Sequence, residues 1–215
     1  MTETTLTPER ILDTAEDVLR RFGPAKASVV DVARALGVSH GSVYRHFPSK
    51  VALRDAVGAR WLERVSTPLA AVAAETGPAT PRLRRWLEQL SGTKRRMARE
   101  DPELFATYHN ITTEARDVVT AHLDTLAGQL AHIVADGVGS GEFAATTDPG
   151  TAGRAVLHAT ARFHHPIHAA EWGDPRIDAD FAAVFSLILH GLSPPPAAAS
   201  ARPGRRTAAR GARQQ

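Results

Sequence analysis

The chain has 215 residues, enough for one large domain or a small domain joined to a larger one, and its 43% hydrophobic and 23% charged residues are typical of a folded globular protein. The sequence contains no cysteine, which excludes disulfide bonds, thiolate chemistry and cysteine-bound zinc, and no stretch approaches the roughly 18 consecutive apolar residues of a membrane helix. The charge is uneven, because residues 34–60 carry a net charge of +4 and residues 61–192 a net charge of −4, so we expect a polyanion to bind near the N-terminus rather than over the whole surface.

The N-terminal 60 residues predict a series of short helices. Apolar residues recur in steps of three and four between residues 11 and 22, and Thr7 followed by Pro8 is a typical helix start. Ser28 followed by Asp31 resembles a capping box with aspartate where glutamate is usual, and Ser39 can cap the next helix. Glycine and proline mark the breaks between elements. The predicted helices cover residues 8–22, 29–36, 40–47 and 50–57, with the first ending at Gly23-Pro24.

The rest of the chain predicts longer helices, separated by breaks that contain glycine and proline. Apolar periodicity places these helices at about residues 57–75, 81–99, 102–113, 117–138, 149–170 and 177–191. No window alternates apolar and polar residues with period two, so we expect no β-strands. The fold class is therefore predicted to be all-α.

Residues 29–48 have the pattern of two short helices joined by a tight turn. Ala33 is small enough to lie where the helices cross, and Gly37 can adopt the left-handed conformation of the turn without steric strain. The inward apolar face consists of Val32, Leu36, Val38 and Val43. The small and polar residues between 40 and 46 then point outward, as in a helix that enters a DNA major groove. An ordinary helical hairpin with a solvated polar face would show the same spacing.

Residues 11–57 resemble the N-terminal domain of TetR-family transcriptional regulators. The resemblance is carried by Val32-Ala33-(x)2-Leu36-Gly37-Val38-Ser39-(x)3-Val43-Tyr44-(x)-His46-Phe47-Pro48-Ser49-Lys50-(x)2-Leu53, whose Tyr-x-His-Phe-x-x-Lys ending is highly specific. It implies a three-helix helix-turn-helix DNA-binding domain at residues 7–54. A larger helical domain at residues 55–192 would then bind a ligand and form the dimer.

The same resemblance implies roles for individual residues of this chain. Ser28, Tyr44, His46 and Lys50 would contact phosphates, which position the protein without reading sequence. The recognition helix would approach base edges, so that His40, Ser42 and Arg45 are the candidates for sequence specificity. The implied DNA-binding residues are Ser28, Ser39, His40, Gly41, Ser42, Tyr44, Arg45, His46 and Lys50.

The C-terminal half resembles the family in architecture, with Gly141-Glu142-Phe143 as a turn that family members commonly have. By resemblance, the helices near residues 117–138 and 177–191 would form the dimer interface. One apolar stripe consists of Leu123, Leu126, Leu130, Ile133 and Val134, and the other of Phe181, Val184, Phe185, Ile188 and Leu192. Such stripes are also what an intrachain core requires. A two-fold dimer predicts a palindromic DNA site with recognition helices about 34–36 Å apart.

An effector pocket is expected from the resemblance, and aromatic residues with polar tips are suited to line it. The candidates are Tyr108, His109, Phe163, His164 and Trp172, with Phe105 and Trp86 as further apolar wall. For each of these residues a place in the hydrophobic core is favoured over contact with a ligand. The basic run 94–99 is expected to be a solvated helix face.

Histidines are frequent in the C-terminal half, and three of them lie close together in sequence. His164 and His168 are four residues apart and His165 and His168 three apart, so either pair could share a helix face and bind a metal, with Glu171 as a further ligand. Pro166 inside the cluster is expected to kink the helix. The alternative, hydrogen-bonded or surface histidines, is favoured, and no cofactor is expected.

The sequence thus predicts a DNA-binding regulator, most simply a cytoplasmic repressor that dissociates from its operator when a small molecule binds. Two alternatives stay open: a regulator or architectural DNA-binding protein without small-molecule sensing, whose C-terminal core would be closed, and a metal-dependent enzyme built on His164, His165 and His168. Residues 193–215, rich in proline, alanine and arginine, are predicted to form a disordered basic tail that adds nonspecific DNA affinity or is inert.

Overall fold

The computed structural model describes residues 6–23 and 28–194, and these residues form helices and no strand. The α-helices are α1 (Pro8–Phe22), α2 (Val29–Leu36), α3 (His40–Tyr44), α4 (Lys50–Ala74), α5 (Ala79–Glu100), α6 (Pro102–Glu114), α7 (Arg116–Ser140), α8 (Pro149–Ala159) and α9 (Ile177–Leu192). Two 3-10 segments, Ala161–Phe163 and Pro166–Glu171, lie between α8 and α9. The predicted all-α class is confirmed. Pro24 and the predicted disordered tail from residue 195 onward lie outside the described residues.

The start signals of the first helices act as their sequence predicts. The Thr7 hydroxyl accepts a hydrogen bond from the Arg10 amide (3.3 Å), and Gly23 ends α1 with φ of 72°. At α2 the capping box is complete, since the Ser28 hydroxyl accepts from the Asp31 amide and the Asp31 carboxylate accepts from the Ser28 amide. These caps fix where the short helices begin. Helices of this length are only marginally stable in isolation, so helix propensity alone would not define their first residues.

An N-terminal core joins α1, α2 and α3 to α4 and α6. Val43 of α3 and Ile11 of α1 are fully buried in it, together with Trp61 of α4 and Tyr108 of α6. The helices predicted at residues 50–57 and 57–75 are one continuous helix, α4, which crosses the predicted domain boundary at residues 54 and 55 without a break. The helix-turn-helix unit is therefore packed rigidly onto the C-terminal half through α4.

A second core lies between α4, α5, α7, α8 and α9. The two apolar stripes predicted on α7 and α9 face into this core of their own chain: Leu126, Leu130, Ile133, Val134, Phe181, Phe185 and Leu192 are buried, and Leu123, Val184 and Ile188 are partly buried against it. The helices α7 and α8 make the closest contact, because a Cβ at Gly153 would lie 2.6 Å from the Ala131 amide nitrogen. The buried stripe residues are thus intrachain core, and a dimer must use other faces of these helices.

The helix predicted at residues 149–170 is wrong in its second half, because α8 ends at Ala159. The residue before a proline is pushed to extended backbone, and His165 before Pro166 has φ of −79° and ψ of 127°. The chain turns inward between these points to bury Phe163 in the second core. Pro166 therefore does not kink a helix but opens the second 3-10 segment, at its first position.

The predicted Gly141-Glu142-Phe143 turn fixes the start of α5. The Glu142 carboxylate accepts hydrogen bonds from the amides of Ala79 (2.7 Å) and Thr80 (3.0 Å), which are unpaired donors of the first helical turn. Among the described residues, no helix is both long and apolar enough to cross a membrane.

Candidate nucleic-acid interface and ligand cavity

The turn between α2 and α3 has a left-handed glycine at its centre and is held by buried residues of the two flanking helices. Gly37 has φ of 69° and ψ of 28°, a conformation that other residues adopt only at a steric cost. The Val38 amide donates to the Ala33 carbonyl (3.0 Å), which closes the end of α2, and Ala33 and Val43 are both buried where the helices meet. The turn thereby fixes the direction in which α3 presents its outer face.

The residues that the resemblance assigns to DNA binding lie mainly on that outer face. Ser39, His40, Gly41, Tyr44, Arg45, His46 and Lys50 are exposed, and Ser42 is half-buried. The Ser39 hydroxyl accepts from the Ser42 amide (3.2 Å) and so caps α3. The Arg45 guanidinium donates to the Ser42 hydroxyl (3.3 Å), and the His40 and Tyr44 rings meet edge to face at 6.4 Å. The face therefore presents one guanidinium, one phenol and two imidazole groups around Gly41, which has no side chain.

Ser28 differs from the other predicted DNA contacts, because its hydroxyl and amide already form hydrogen bonds with Asp31 in the helix cap. Its hydroxyl lies 2.5 Å from the Asp31 carboxylate, to which it donates, and its amide donates to the same carboxylate (3.3 Å). The hydrogen bond from Ser28 holds the pKa of Asp31 below its ordinary value. A phosphate would have to compete with Asp31 for these donors, so the predicted phosphate contact of Ser28 needs a rearrangement, whereas Lys50 stands exposed at the first turn of α4.

A cavity of about 540 Å³ lies between α4, α5, α6, α7 and the second 3-10 segment. Its size falls within the range of roughly 300–1,000 Å³ that is typical of small-molecule sites. The residues lining it are Trp61, Leu62, Leu90, Lys94, His109, Thr112, Thr113, Arg116, Val119, Thr120, His122, Leu123, Leu126, His164, His165, Pro166 and Ile167.

Of the five predicted pocket residues, His109 and His164 line this cavity and the other three lie elsewhere. Tyr108 is buried in the N-terminal core and stacks on Trp61, with ring centroids 4.7 Å apart. Phe163 lies in the second core against Phe181. Trp172 is buried and donates its indole hydrogen to the Arg162 carbonyl (2.9 Å). These three large rings fill core volume, as do Phe105 and Trp86, which are buried in the first and second core respectively.

The predicted solvated face at residues 94–99 is wrong for Lys94, which lines the cavity and is only 4% exposed. Its ammonium lies 4.4 Å from the centroid of the Trp61 ring, a cation–π contact. Burial lowers the pKa of Lys94 from 10.5 to about 8. The signal that reveals it is helical spacing, because Lys94 follows Leu83, Leu87 and Leu90 on the buried stripe of α5.

Two histidines of the cavity are held in their neutral form. Burial is the main cause that lowers the pKa of both His122 and His164 to about 4, and the nearby positive charge of Lys94 lowers both pKa values further. The Nε2 atom of His164 lies 3.3 Å from the Leu157 carbonyl oxygen and 3.4 Å from the Thr160 hydroxyl. The carbonyl can only accept a hydrogen bond, which favours a proton on Nε2. Neutral imidazoles can donate a hydrogen bond without adding charge to the cavity.

The predicted metal pairs do not form, because the histidines do not share a helix. His164 is buried in contact with α8, whereas His168 binds the Glu171 carboxylate (2.7 Å) on the surface. The rings of His165 and His168 are 6.5 Å apart and meet edge to face. In the part of the chain that the structure describes, no three histidine, aspartate or glutamate side chains are grouped so that they could hold a metal ion.

Two family profiles match the chain. The profile described as Bacterial regulatory proteins, tetR family, matches residues 11–57, and the profile described as Tetracyclin repressor-like, C-terminal domain, matches residues 79–185. An uncharacterized HTH-type transcriptional regulator of Mycobacterium tuberculosis is 33% identical over 105 residues, which cover 49% of this chain and 50% of that relative. The matched part of the chain thus spans about half the length of this relative.

Several solved structures share the fold over most of their length. The fatty acid degradation regulator FadR from Bacillus halodurans has a TM-score of 0.60 at 18% identity, with 86% of this chain and 100% of that chain covered. SmeT, the repressor of the Stenotrophomonas maltophilia multidrug efflux pump SmeDEF, has a TM-score of 0.61 at 18% identity, covering 88% and 91%. A putative TetR-family regulator from Mesorhizobium loti has a TM-score of 0.63 at 16% identity, covering 86% and 93%. At such identities the likeness shows the fold alone.

Proposed function

Since this chain belongs to the TetR family of bacterial transcriptional regulators, we propose that it is a sequence-specific DNA-binding regulator. In this proposal it is a homodimeric repressor in the cytoplasm, and a small-molecule effector releases it from a palindromic operator. The observation that carries the proposal is the polar outer face of α3, which is exposed and follows a tight turn with left-handed Gly37 at its centre. The proposal includes no catalytic step.

In the DNA complex, α3 enters the major groove with Gly41 closest to the bases. The absence of a side chain there allows close approach, and His40 and Arg45 beside it reach base edges. Tyr44, His46 and Lys50 bind phosphates on either side and hold the register of the helix. Ser42 orients Arg45 through the hydrogen bond between their side chains.

A homodimer would bring two such helices to successive major grooves, about 34–36 Å apart. The outer face of α9 is the surface we propose for self-association, because its inward face is already used in the core of the chain. That outer face is apolar and made of small residues around Leu187, which is 73% exposed. The exposed small residues are Ala179, Ala182, Ala183 and Ser186.

The effector cavity and the DNA-binding face are joined by α4. Lys50 lies in its first turn and Trp61 on the cavity wall eleven residues later, about 16 Å along the helix axis. Glu16 of α1 forms ion pairs with Arg60 (2.7 Å) and Arg64 (2.9 Å) of α4, so a movement of α4 carries the helix-turn-helix unit with it. An effector that binds one position of α4 better than another shifts the population away from the DNA-binding spacing.

The open cavity favours this ligand-responsive regulator over one without small-molecule sensing, which would have a closed C-terminal core. A metal-dependent enzyme built on His164, His165 and His168 is disfavoured, because these side chains point to different surroundings.

The test is to select genomic fragments with the purified full-length protein at physiological salt and to measure affinities for the selected sites. Each hydrogen bond to a phosphate contributes about 1.5–3 kcal/mol, so a Tyr44→Ala/Lys50→Ala double variant should bind the selected site at least about 100-fold more weakly. Arg96→Ala is the matched control, because it removes a positive charge from an exposed position on α5. Recovery of palindromic sites supports the proposal; uniform, salt-sensitive binding of all fragments, or unchanged affinity of the double variant, refutes it.

A further inference from the structure

Lys94 is a buried positive charge without a counterion. In the described part of the chain its ammonium forms no hydrogen bond and no ion pair, and the Trp61 ring is its one charge-stabilising contact. A buried charge of this kind is strongly unfavourable unless it is paired. Buried charged groups are therefore normally found with a hydrogen-bonding partner of opposite charge.

Among the residues that line the cavity, no acidic side chain competes with an acidic ligand for the Lys94 ammonium. No carboxylate is among its lining residues, whereas Glu63 and Asp117 lie along a neighbouring groove of about 690 Å³ that shares only Leu62 and His122 with it. A second positive charge, Arg116, lines the same cavity. A cationic ligand would thus be repelled, and a neutral ligand would leave the ammonium unpaired.

The remaining lining groups define the rest of the ligand. The wall is mostly apolar, with the Trp61 ring and Leu90, Leu123 and Leu126 as its larger surfaces. Between them, His122 and His164 present neutral imidazoles to the same space. These groups suit an apolar body that ends in a hydrogen-bond acceptor.

We infer that the cavity binds an organic monocarboxylate with an apolar body, whose carboxylate pairs with the Lys94 ammonium. One buried ammonium balances one negative charge, and the neutral His122 ring can donate a hydrogen bond to a carboxylate oxygen without adding charge. A phosphate monoester would bring a second negative charge, and the one other lysine or arginine among the lining residues, Arg116, is exposed to solvent rather than buried. The inference deepens the proposed function and rests on it in one respect, namely that occupancy of this cavity is what α4 transmits to DNA.

The experiment compares acids with their uncharged, nearly isosteric amides on the ligand-free full-length protein. Isothermal titration calorimetry at pH 7 measures 2-naphthoate against 2-naphthamide and decanoate against decanamide. The proteins are wild type, Lys94→Met, which keeps the apolar stem and removes the charge, and Arg96→Met, which removes an exposed charge from the same helix. Loss of a desolvated charge pair weakens binding by about 30-fold or more.

We expect at least one acid to bind wild type and the Arg96→Met variant about 30-fold more tightly than its amide, and this preference to disappear in the Lys94→Met variant. Equal binding of acid and amide to wild type overturns the inference, as does an unchanged preference in Lys94→Met or the failure of both acids to bind at 1 mM. Fluorescence anisotropy with a selected DNA site is run in parallel. If the ligand-free protein binds no DNA site specifically, the proposed function is refuted but the acid–amide comparison stays valid. If acid and amide bind equally, the inference is refuted but DNA binding by the ligand-free protein is unaffected.

Discussion

The Lys94→Met substitution should make the ligand-free protein more stable. The change replaces a buried ammonium with a thioether of similar length that packs well against the Trp61 ring. Few substitutions of a 4% exposed residue are expected to stabilise a protein, so the sign of the effect is itself a sharp test. The protein should first be freed of any copurified ligand by unfolding and refolding.

The magnitude follows from the pKa of Lys94. At pH 7 the amine is protonated in both states, so a pKa lowered from 10.5 to about 8 means that burial destabilises the native state by about 3 kcal/mol. Lys94→Met should therefore be more stable than wild type by up to about 3 kcal/mol at pH 7.

The difference should shrink in alkaline solution. Between pH 8 and 10.5 the unfolded chain holds a proton on Lys94 that the native protein has lost, so the stability of wild type rises with pH relative to the variant. At pH 10 the gap should be below about 1 kcal/mol. His122 and His164 do not contribute, because their pKa values of about 4 leave them neutral at both pH values.

Urea denaturation at pH 7 and pH 10 measures the effect, at one fixed protein concentration because the stability of the proposed dimer would depend on it. The exposed Arg96→Met variant serves as control and should match wild type at both pH values. A Lys94→Met variant that is less stable than wild type at pH 7, or a gap that stays constant up to pH 10, would mean that the ammonium has a partner within the protein.

Three further substitutions test the packing and the DNA-binding face. Gly153→Ala drives a methyl group into the α7 backbone, 2.6 Å from an amide nitrogen, and should destabilise the protein by about 1–3 kcal/mol in thermal unfolding; an unchanged Tm would contradict the close contact of α7 and α8. Partial burial raises the pKa of Glu142, but the amide hydrogen bonds at α5 outweigh it and lower the pKa overall, so Glu142→Gln should lose about 1 kcal/mol at pH 7. That loss should fade as the pH falls below 4.5, and a loss that persists in acid would exclude the charged cap. In Gly41→Ala the methyl group would make an ordinary contact with the Ser39 hydroxyl (3.8 Å), so stability should stay equal or rise by up to about 1 kcal/mol. Binding of a selected DNA site in fluorescence anisotropy should weaken; unchanged affinity would place Gly41 away from the bases.

The sequence was sufficient where structure is determined locally. The caps at Thr7, Ser28 and Ser39 and the left-handed Gly37 depend on residues within a few positions of one another, and all four act as predicted. The exposed face of α3 follows directly from them. Its contacts with DNA stay predictions, and Ser28 shows why: the cap that identifies α2 also occupies the donors that a phosphate would need.

The sequence was insufficient where long-range packing decides. Tyr108 and Phe163 have the composition of pocket residues, but only the arrangement of five helices determines that they fill cores while His109 faces the cavity. The number of charged residues between positions 94 and 99 predicted solvent exposure, because this number does not show which face of the helix each residue occupies. Lys94 lies on the same buried face of α5 as Leu87 and Leu90, and this position determines its burial more than the charge of its neighbours does.

Lys94 differs from the other buried charged residues, and this difference indicates what the cavity binds. Arg82 is paired with Asp136 and with the Glu75 carbonyl, and Glu16 is paired with two arginines, so this fold does satisfy a charge that it buries for structural reasons. Lys94 is buried to a similar degree and faces a space that no carboxylate of the described chain enters. A residue that lowers stability persists where function needs it, and strongly perturbed groups in a cleft mark functional sites. The missing partner of Lys94 is therefore best sought in a ligand. Because Trp61 on α4 forms the other side of that contact, the proposed ligand would act on the helix that, in the proposed function, carries Lys50 to DNA.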